Sequence, residues 1–474
     1  MTRAETGDIM TDGNNWQELL NQLRPFLASY DAYLVGGAVR DRLLGLPVHD
    51  LDFALPEATM EAARKTADRL GGAFFVLDME RGAARVILED DNGGRRSLDF
   101  TTFQGPDLEA DLRARDFTIT AMAVPVSQPD RLIDPLGGAA DLQQGLIRSC
   151  SPRSMVDDPL RVLRAVRMAA AYRFKISPAT QQEIRQAAVG LDQVSPERVR
   201  DEYYQILLCP QPAAGVRILN ALGITRVLFP EERVFPALRI KVLDNLNTFW
   251  QLLAGEHQPE EAASWANGLL VYRLGRFREQ LQVHLEEQLV PERPCRGIIH
   301  FAALIPENAA DRKATMQRTA KSFRFSRQEI ERLHGMLKAA VDLKSRAASG
   351  ADPQPLEIYR YFRQYARAGV DGIYLNLARF LANKGRTRIT TAWPVQLDFS
   401  RAFLQAWWEN RQQVIAPPVL LDGHQLMDAL DLKPGPRVGL ILEKIREAQV
   451  IGEVANRKQA FALAEQLLAG ERDR

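Results

Sequence analysis

Two aspartates, Asp50 and Asp52 in the run Asp50-Leu51-Asp52-Phe53-Ala54, stand where strand alternation points both carboxylates to one face. Side by side they repel unless a cation neutralises them. A pair of hard divalent cations, Mg²⁺ above all, would do so while bridging triphosphate oxygens and lowering the pKa of an attacking hydroxyl. The bland alternative is a solvated or turn-capping pair. Ten residues upstream, Leu34-Val35-Gly36-Gly37-Ala38-Val39-Arg40 gives a short apolar strand, a Gly-Gly turn and the start of a helix. Such a turn lets backbone amides approach a phosphate, and Arg40 adds positive charge. Taken alone, it is equally a tight strand-to-helix turn with a surface arginine.

Two further segments carry charge in a pattern. In Leu112-Arg113-Ala114-Arg115-Asp116-Phe117, Arg115 is able to reach a triphosphate, while Asp116 reads equally as a helix cap or an ion-pair partner. In Asp157-Asp158-Pro159-Leu160-Arg161-Val162-Leu163-Arg164-Ala165-Val166-Arg167, the residues Asp158, Arg161, Arg164 and Arg167 recur in steps of three. On a helix they form one polar stripe, opposite Leu160, Leu163 and Val166. An arginine stripe is usually a solvated face; beside a metal site it calls for anionic or base-edge partners.

The elements that must position these groups follow from periodicity. Between Tyr33 and Val126 short apolar runs alternate with helical stretches, as in a mixed α/β unit. Strands are expected at Ala32–Gly36, Leu51–Ala54, Ala73–Leu77, Ala84–Glu89 and Arg96–Phe103. Asp90-Asp91-Asn92-Gly93-Gly94 joins the last two as a hairpin turn, ending the region in a β-ribbon. After Pro152 the chain reads as nearly continuous helix, with starts such as Ser177-Pro178 and Ser195-Pro196, where serine caps and proline takes the first turn.

Composition bounds the rest. Apolar residues are 46% and charged residues 26%, ordinary for globular domains, and 474 residues suggest several of them. The three cysteines, Cys150, Cys209 and Cys295, are far apart, indicating neither a disulfide framework nor a zinc site and fitting a reducing cytoplasm. No apolar run is long enough for a membrane span, and no leader is recognisable. A net charge of +1 excludes indiscriminate coating of nucleic acid but not local basic surfaces, of which Arg153 to Lys175 supplies one.

Together these segments resemble the successive motifs of class II tRNA nucleotidyltransferases and bacterial poly(A) polymerases. The match runs from about Tyr33 to Ile206 and includes GGAVRD, DLD, RARDFTITAMA, Asp141–Leu146, DDPLRVLRAVR and SPERVRDEYYQIL. The resemblance implies an α/β + all-α chain: an N-terminal nucleotidyltransferase palm, a mixed β-sheet with helices, followed by a multi-subdomain helical body. Its expected divisions are an N-terminal helical extension over 1–30, the catalytic head over 31–150, a base-recognising helical neck over 151–210, and helical parts over 211–350 and 351–474. It implies that Gly37 and Arg40 contact the triphosphate, Asp50 and Asp52 hold two Mg²⁺ ions, and Arg115 assists. Asp158 and Arg161 would read the incoming base, with Arg164 and Arg167 supporting the nucleotide. CTP and ATP would be substrates and the tRNA 3′ end the partner, with no DNA, membrane or obligate protein partner. Poly(A) addition and CC-only or A-only addition share these residues, and a decayed RNA-binding relative is a further alternative.

Some positions depart from the family pattern. Asp157 stands where glutamate is common, and Asp99 is a possible third carboxylate. His300 lacks the acidic neighbour of a His-Asp hydrolase pair and is expected to be structural; His49, His257, His284, His334 and His424 lack metal-ligand spacing. Near the C-terminus, Leu420–Met427 and Lys433-Pro434-Gly435-Pro436-Arg437 also resemble the RNA-binding end of these enzymes. A helix opening after the proline turn, with Lys433 and Arg437 alongside, would suit an RNA phosphate. Trp393, Trp407 and Trp408 are expected in the core rather than on RNA.

Overall fold

A computed structural model describes residues 15–48, 50–89, 95–254, 264–307, 314, 316–318, 322–347, 351–383 and 386–472. The expected turn at Asp90–Gly94, and His49 and His257, lie outside the described residues. Contacts divide the chain into two units, one of Met1–Ile206 with Ile218–Arg233, the other of Leu207–Arg217 with Val234–Arg474.

The first unit opens with a helix, α1 (Asn15–Leu27), and is then built on a six-stranded mixed sheet. Its strands are β1 (Tyr33–Val35), β2 (Leu51–Leu55), β3 (Ala73–Asp78), β4 (Ala83–Glu89), β5 (Arg95–Thr102) and β6 (Ala123–Pro125), in the order β3-β4-β5-β2-β1-β6. The five expected strands are present with ends moved by a residue or two. The sheet does not finish at the β4–β5 ribbon, however. β5 runs parallel to β2 in the middle of the sheet, and the chain returns as β6 to cover the far edge of β1. A three-residue strand carries too little alternation to be recognised as one.

Register assigns the faces. Phe75 lies opposite Arg85, Arg85 opposite Asp99, Asp99 beside Asp52 and Asp52 opposite Val35, so this row shares one face. The other face carries Ala84, Val86, Leu98, Phe100 and Phe53, all within 1% exposure. Phe53 and Phe100 stack there at 5.1 Å, and α3 (Thr59–Leu70) packs on β4 through its small buried residues Ala62, Ala63 and Ala67. On the first face the β1–β2–β6 half is covered: Val35, Ala54 and Ala123 pack with Leu112 of α4 (Leu108–Ala114).

The remaining helices of this unit include α2 (Gly37–Leu44), α5 (Gly138–Gln143), α6 (Ser154–Asp157), α7 (Arg161–Tyr172), α8 (Pro178–Ala187) and α9 (Pro196–Leu208). Ser177 caps α8 as expected, its hydroxyl accepting from the Thr180 N–H at 3.2 Å. The stripe of residues in steps of three is shorter than its sequence suggests. Asp158 is extended (φ −142, ψ 99) and α7 begins only at Arg161, because Pro159 disfavours helical backbone in the residue before it.

Among the described residues, the regular structure of the second unit is helical apart from a small pairing of Gln288–Val290 with Arg293–Pro294. Trp393 is fully buried with its indole N–H donating to the Ala266 carbonyl at 2.9 Å, and Trp407 stacks on Phe362 at 4.7 Å. Both belong to the core. Leu421, Leu426, Val438, Ile441, Ile445, Ala460 and Ala464 form a separate apolar cluster near the C-terminus. No described helix is long and apolar enough to cross a membrane.

Candidate active site

Asp52 lies mid-strand on β2 beside Asp99 of β5, and Asp50, just before β2, accepts from Ser97 Oγ at 2.6 Å. The turn into α2 passes directly over this pair. Gly36 has φ +72, and a Cβ on it would stand 3.0 Å from Asp52 Oδ2 and 3.5 Å from Arg115 Nη1. Both the positive φ and the close approach therefore require glycine there. Gly36 makes the close approach to Asp52, and Gly37, which the resemblance assigns to the triphosphate, is the first residue of α2.

A cavity of about 430 Å³ opens over these carboxylates, lined by Asp52, Asp99, Asp111, Arg115, Asp116, Asp158, Arg161, Arg164 and Arg198 among others. Each arginine is held. Arg115, at the C-terminal end of α4, donates from Nε and Nη2 to Asp111 Oδ2 at 3.2 and 3.1 Å, and Asp111 in turn accepts the Gln104 N–H. Arg161 donates to Ser154 Oγ at 2.9 Å and to the Ala114 carbonyl at 3.0 Å, tying the end of α4 to α6. Arg164 donates to Asp116 Oδ2 at 2.7 Å, while Asp116 Oδ1 accepts from Thr120 Oγ1 and the Phe117 N–H. Burial alone would push the Asp116 carboxyl up, but Arg164 and these hydrogen bonds hold it below the usual range. Asp116 is thus an ion-pair partner rather than a helix cap.

Asp158 Oδ1 accepts the Leu160 N–H at 3.2 Å and Oδ2 accepts from Arg198 Nη2 at 3.0 Å. Arg198 and Asp111 were not singled out from the sequence. Arg198 lies within the SPERVRDEYYQIL motif without a role of its own, and Asp111 lies one helical turn before Arg115; the fold brings both to the cavity lining. Two expected residues are engaged elsewhere. Arg40, 8% exposed, donates twice to Asp41 and lies 4.6 Å from the Tyr172 ring centroid. Arg167 pairs with Glu202 of α9. Lys433 and Arg437 are exposed at the start of the helix Pro436–Val450, in the second unit.

Burial, then the charge of Asp99, push the Asp52 carboxyl up to about 6, with Asp50 adding to the rise and Arg115 and Arg164 opposing it. Crowded carboxylates on a partly buried face are the donor chemistry of a hard divalent cation. Both Asp99 oxygens accept from Arg85 at 2.7 Å, which leaves Asp50 and Asp52 as the carboxylates that could hold such an ion.

Residues 32–148 match the poly A polymerase head domain family, 173–234 the probable RNA and SrmB-binding site of polymerase A, and 402–464 the putative tRNA nucleotidyltransferase domain 2. The CC-adding tRNA nucleotidyltransferase of Geobacter sulfurreducens is 32% identical over 91% of this chain and 90% of its own length. The chain belongs to the tRNA nucleotidyltransferase family. The A-adding tRNA nucleotidyltransferase of Deinococcus radiodurans is 31% identical over 92% of the chain and 95% of its own. The fold is also that of the Thermotoga maritima CCA-adding enzyme complexed with tRNA, with TM-score 0.61, 22% identity and 96% of both chains covered. Membership in this nucleotidyltransferase family accords with the motifs from Tyr33 to Ile206 and with a mixed-sheet head followed by a helical body.

Proposed function

We propose that this tRNA nucleotidyltransferase adds CMP and AMP to the tRNA 3′ end without a template. The observation that carries the reading is Asp52 in the lining of a cavity walled by Arg115, Asp158 and Arg161, with Asp50 two residues before it accepting from Ser97. The RNA 3′-hydroxyl attacks the α-phosphate of CTP or ATP and pyrophosphate leaves, with no covalent enzyme intermediate. Divalent cations held by Asp50 and Asp52 would supply charge neutralisation and activation of the hydroxyl. Arg115, whose Nη1 stands near Gly36 and Asp52, binds the triphosphate.

Base choice falls to Asp158 and Arg161. Cytosine and adenine both present an amino donor beside an unprotonated ring nitrogen, so a carboxylate accepts from one and a guanidinium donates to the other. Arg161 donates to backbone carbonyls here, so reading a base takes an exchange of one of those bonds. Arg40 and Arg167 act at one remove, through the α2 turn and the α7–α9 contact. Residues 151–210 form the base-reading neck, and the helical parts 211–350 and 351–474, with Lys433 and Arg437, bind the body of the tRNA. No separate hydrolase activity is assigned to His300, and the protein works in the cytoplasm.

A second reading is favoured by the names of the relatives matched over nine-tenths of the chain, which are CC-adding and A-adding enzymes. Sequencing of 3′ ends made from tRNAs lacking A, CA or CCA, with CTP and ATP together, separates the two. Complete CCA ends support the first reading; arrest after CC, or extension only of ends already carrying CC, supports the second. No magnesium-dependent incorporation on any of the three overturns both.

A further inference from the structure

The face that carries Asp52 has two halves. The half over β1, β2 and β6 lies beneath Leu112 of α4 and its neighbours. On the other half, the side chains of Asp99 and Arg85 are 24% and 40% exposed, and Phe75 at the edge strand is 47% exposed. Val76, Leu77 and Met79 continue the exposed apolar run at 45%, 53% and 70%. An open apolar edge strand is a liability in a monomer, which ordinarily carries charge or proline there. Phe75 has no α3 packing to explain it, because α3 covers the opposite face and takes Phe74 instead, with Arg64 lying 4.5 Å from the Phe74 ring centroid.

What Phe75 does share is a row with the carboxylates. Phe75, Arg85, Asp99 and Asp52 are successive register partners across β3, β4, β5 and β2. Three strand spacings put Phe75 about 14 Å from Asp52 along the face. That is too far for the reacting nucleotide, and it is within reach of the unpaired nucleotides that precede the 3′ terminus. We propose that Phe75 is a stacking platform for an unpaired base of the RNA 3′ end, laid along the open half of the face with its terminal hydroxyl directed at Asp52. This rests on the reading of Asp50 and Asp52 as the catalytic pair.

The chemistry suits a strand end whose identity varies. An aromatic ring offers sequence-tolerant attraction to any base, because every base has a π-face. Arg85 lies in the row between the ring and the carboxylates, with its guanidinium donating to both oxygens of Asp99. A β-bulge follows Val76, and it ends the regular register just past Phe75.

The test uses the full chain and a tRNA lacking CA, in which the unpaired nucleotide that precedes the terminal C is replaced by 2-aminopurine, a base whose fluorescence is quenched by stacking. Wild type quenches the probe on binding. Phe75→Ala loses at least half of that quenching while Phe75→Trp keeps it, and kcat/KM for tRNA falls about fivefold or more in the alanine variant. The KM for CTP changes by less than about twofold. Melting temperature confirms that the exposed substitution leaves the fold intact. Asp52→Asn, run in parallel, abolishes incorporation and leaves the quenching unchanged; an active Asp52→Asn protein overturns the catalytic reading rather than the platform. Undiminished quenching in Phe75→Ala overturns the platform, and if that variant instead loses self-association in sedimentation, the β3 edge is an interface between copies.

Discussion

At the scale of single residues, the site sets like charge against like charge at Asp50, Asp52 and Asp99. Replacing Asp52 by asparagine removes a metal donor and costs several kcal/mol at the transition state, a loss of roughly a thousandfold in nucleotide addition. The same change relieves repulsion, so the melting temperature in EDTA is expected to equal or exceed that of wild type. A variant retaining a tenth of wild-type activity contradicts the metal assignment. Asp158→Ala is expected to raise UTP and GTP incorporation relative to CTP and ATP, by up to the ~1–3 kcal/mol of a bidentate base contact. Arg115→Ala weakens all four nucleotides alike, measured as steady-state incorporation of each on matched tRNA ends. Asp50, Asp52, Arg115 and Asp158 were legible because their side-chain chemistry stands in local spacing. Arg198 was not, since it reaches the cavity only through the packing of a distant helix, and Asp111, one helical turn before Arg115, went unremarked although its spacing was local.

At the scale of elements, two buried polar groups in the second unit were invisible in the sequence for the same reason. His284, Cys295 and Asp371 come together from three helices with their ligand atoms within 4.8 Å. The arrangement is an ion-pair network rather than a metal centre. Arg332 donates to both oxygens of Asp371, and His284 Nε2 lies 2.6 Å from Oδ1, leaving a cation no free carboxylate oxygen. Asp371 is fully buried, so Asp371→Asn leaves Arg332 only the longer ion pair with Glu287 at 3.8 Å and costs up to about 3–5 kcal/mol, read as a lowered urea midpoint, with no change in zinc content. His300 is fully buried, its Nδ1–H donating to the Leu207 carbonyl at 2.7 Å. Burial first, then the charge of Arg296, push its pKa down to about 3. The unfolded chain takes up this proton near pH 6.5 and the folded chain does not, so stability is full above 6.5 and drains as pH falls towards 3. Between pH 7.5 and 5 this amounts to about 2 kcal/mol, and His300→Asn flattens that part of the urea-midpoint profile. The structural reading of His300 needed only the absence of an acidic neighbour; its carbonyl partner, 93 residues away, had no local signal.

At the scale of the whole molecule, the catalytic and RNA-binding roles are expected to divide along the chain. RNA affinity is expected to fall steeply with salt and to survive Asp52→Asn, because phosphate contacts dominate it. The apolar cluster from Leu421 to Ala464 draws on residues near the C-terminus, so removing the chain from Ala416 onward takes out this core together with the bonds of Glu443 and Glu447 to Tyr359, Arg360 and Arg363. Such a truncation is expected to weaken tRNA binding at ~150 mM salt more than CTP binding, checked by filter binding of both. The mixed head and helical body were plain from the change in periodicity after Pro152, since period is a local property. The interleaving of the two units was not, because nothing local marks it: Leu207–Arg217 belongs to the second unit and Ile218–Arg233 returns to the first. Asn247 reaches back to the Pro210 carbonyl at 2.9 Å, and Tyr203 packs on Phe229 at 5.6 Å. On the ribosome, therefore, the nascent head is not finished when residue 206 emerges but only after 233 has followed. Until the helices beyond it are made, Leu207, Ala213 and Val216, each within 1% exposure in the finished protein, remain uncovered, an apolar surface that favours association with other unfinished chains.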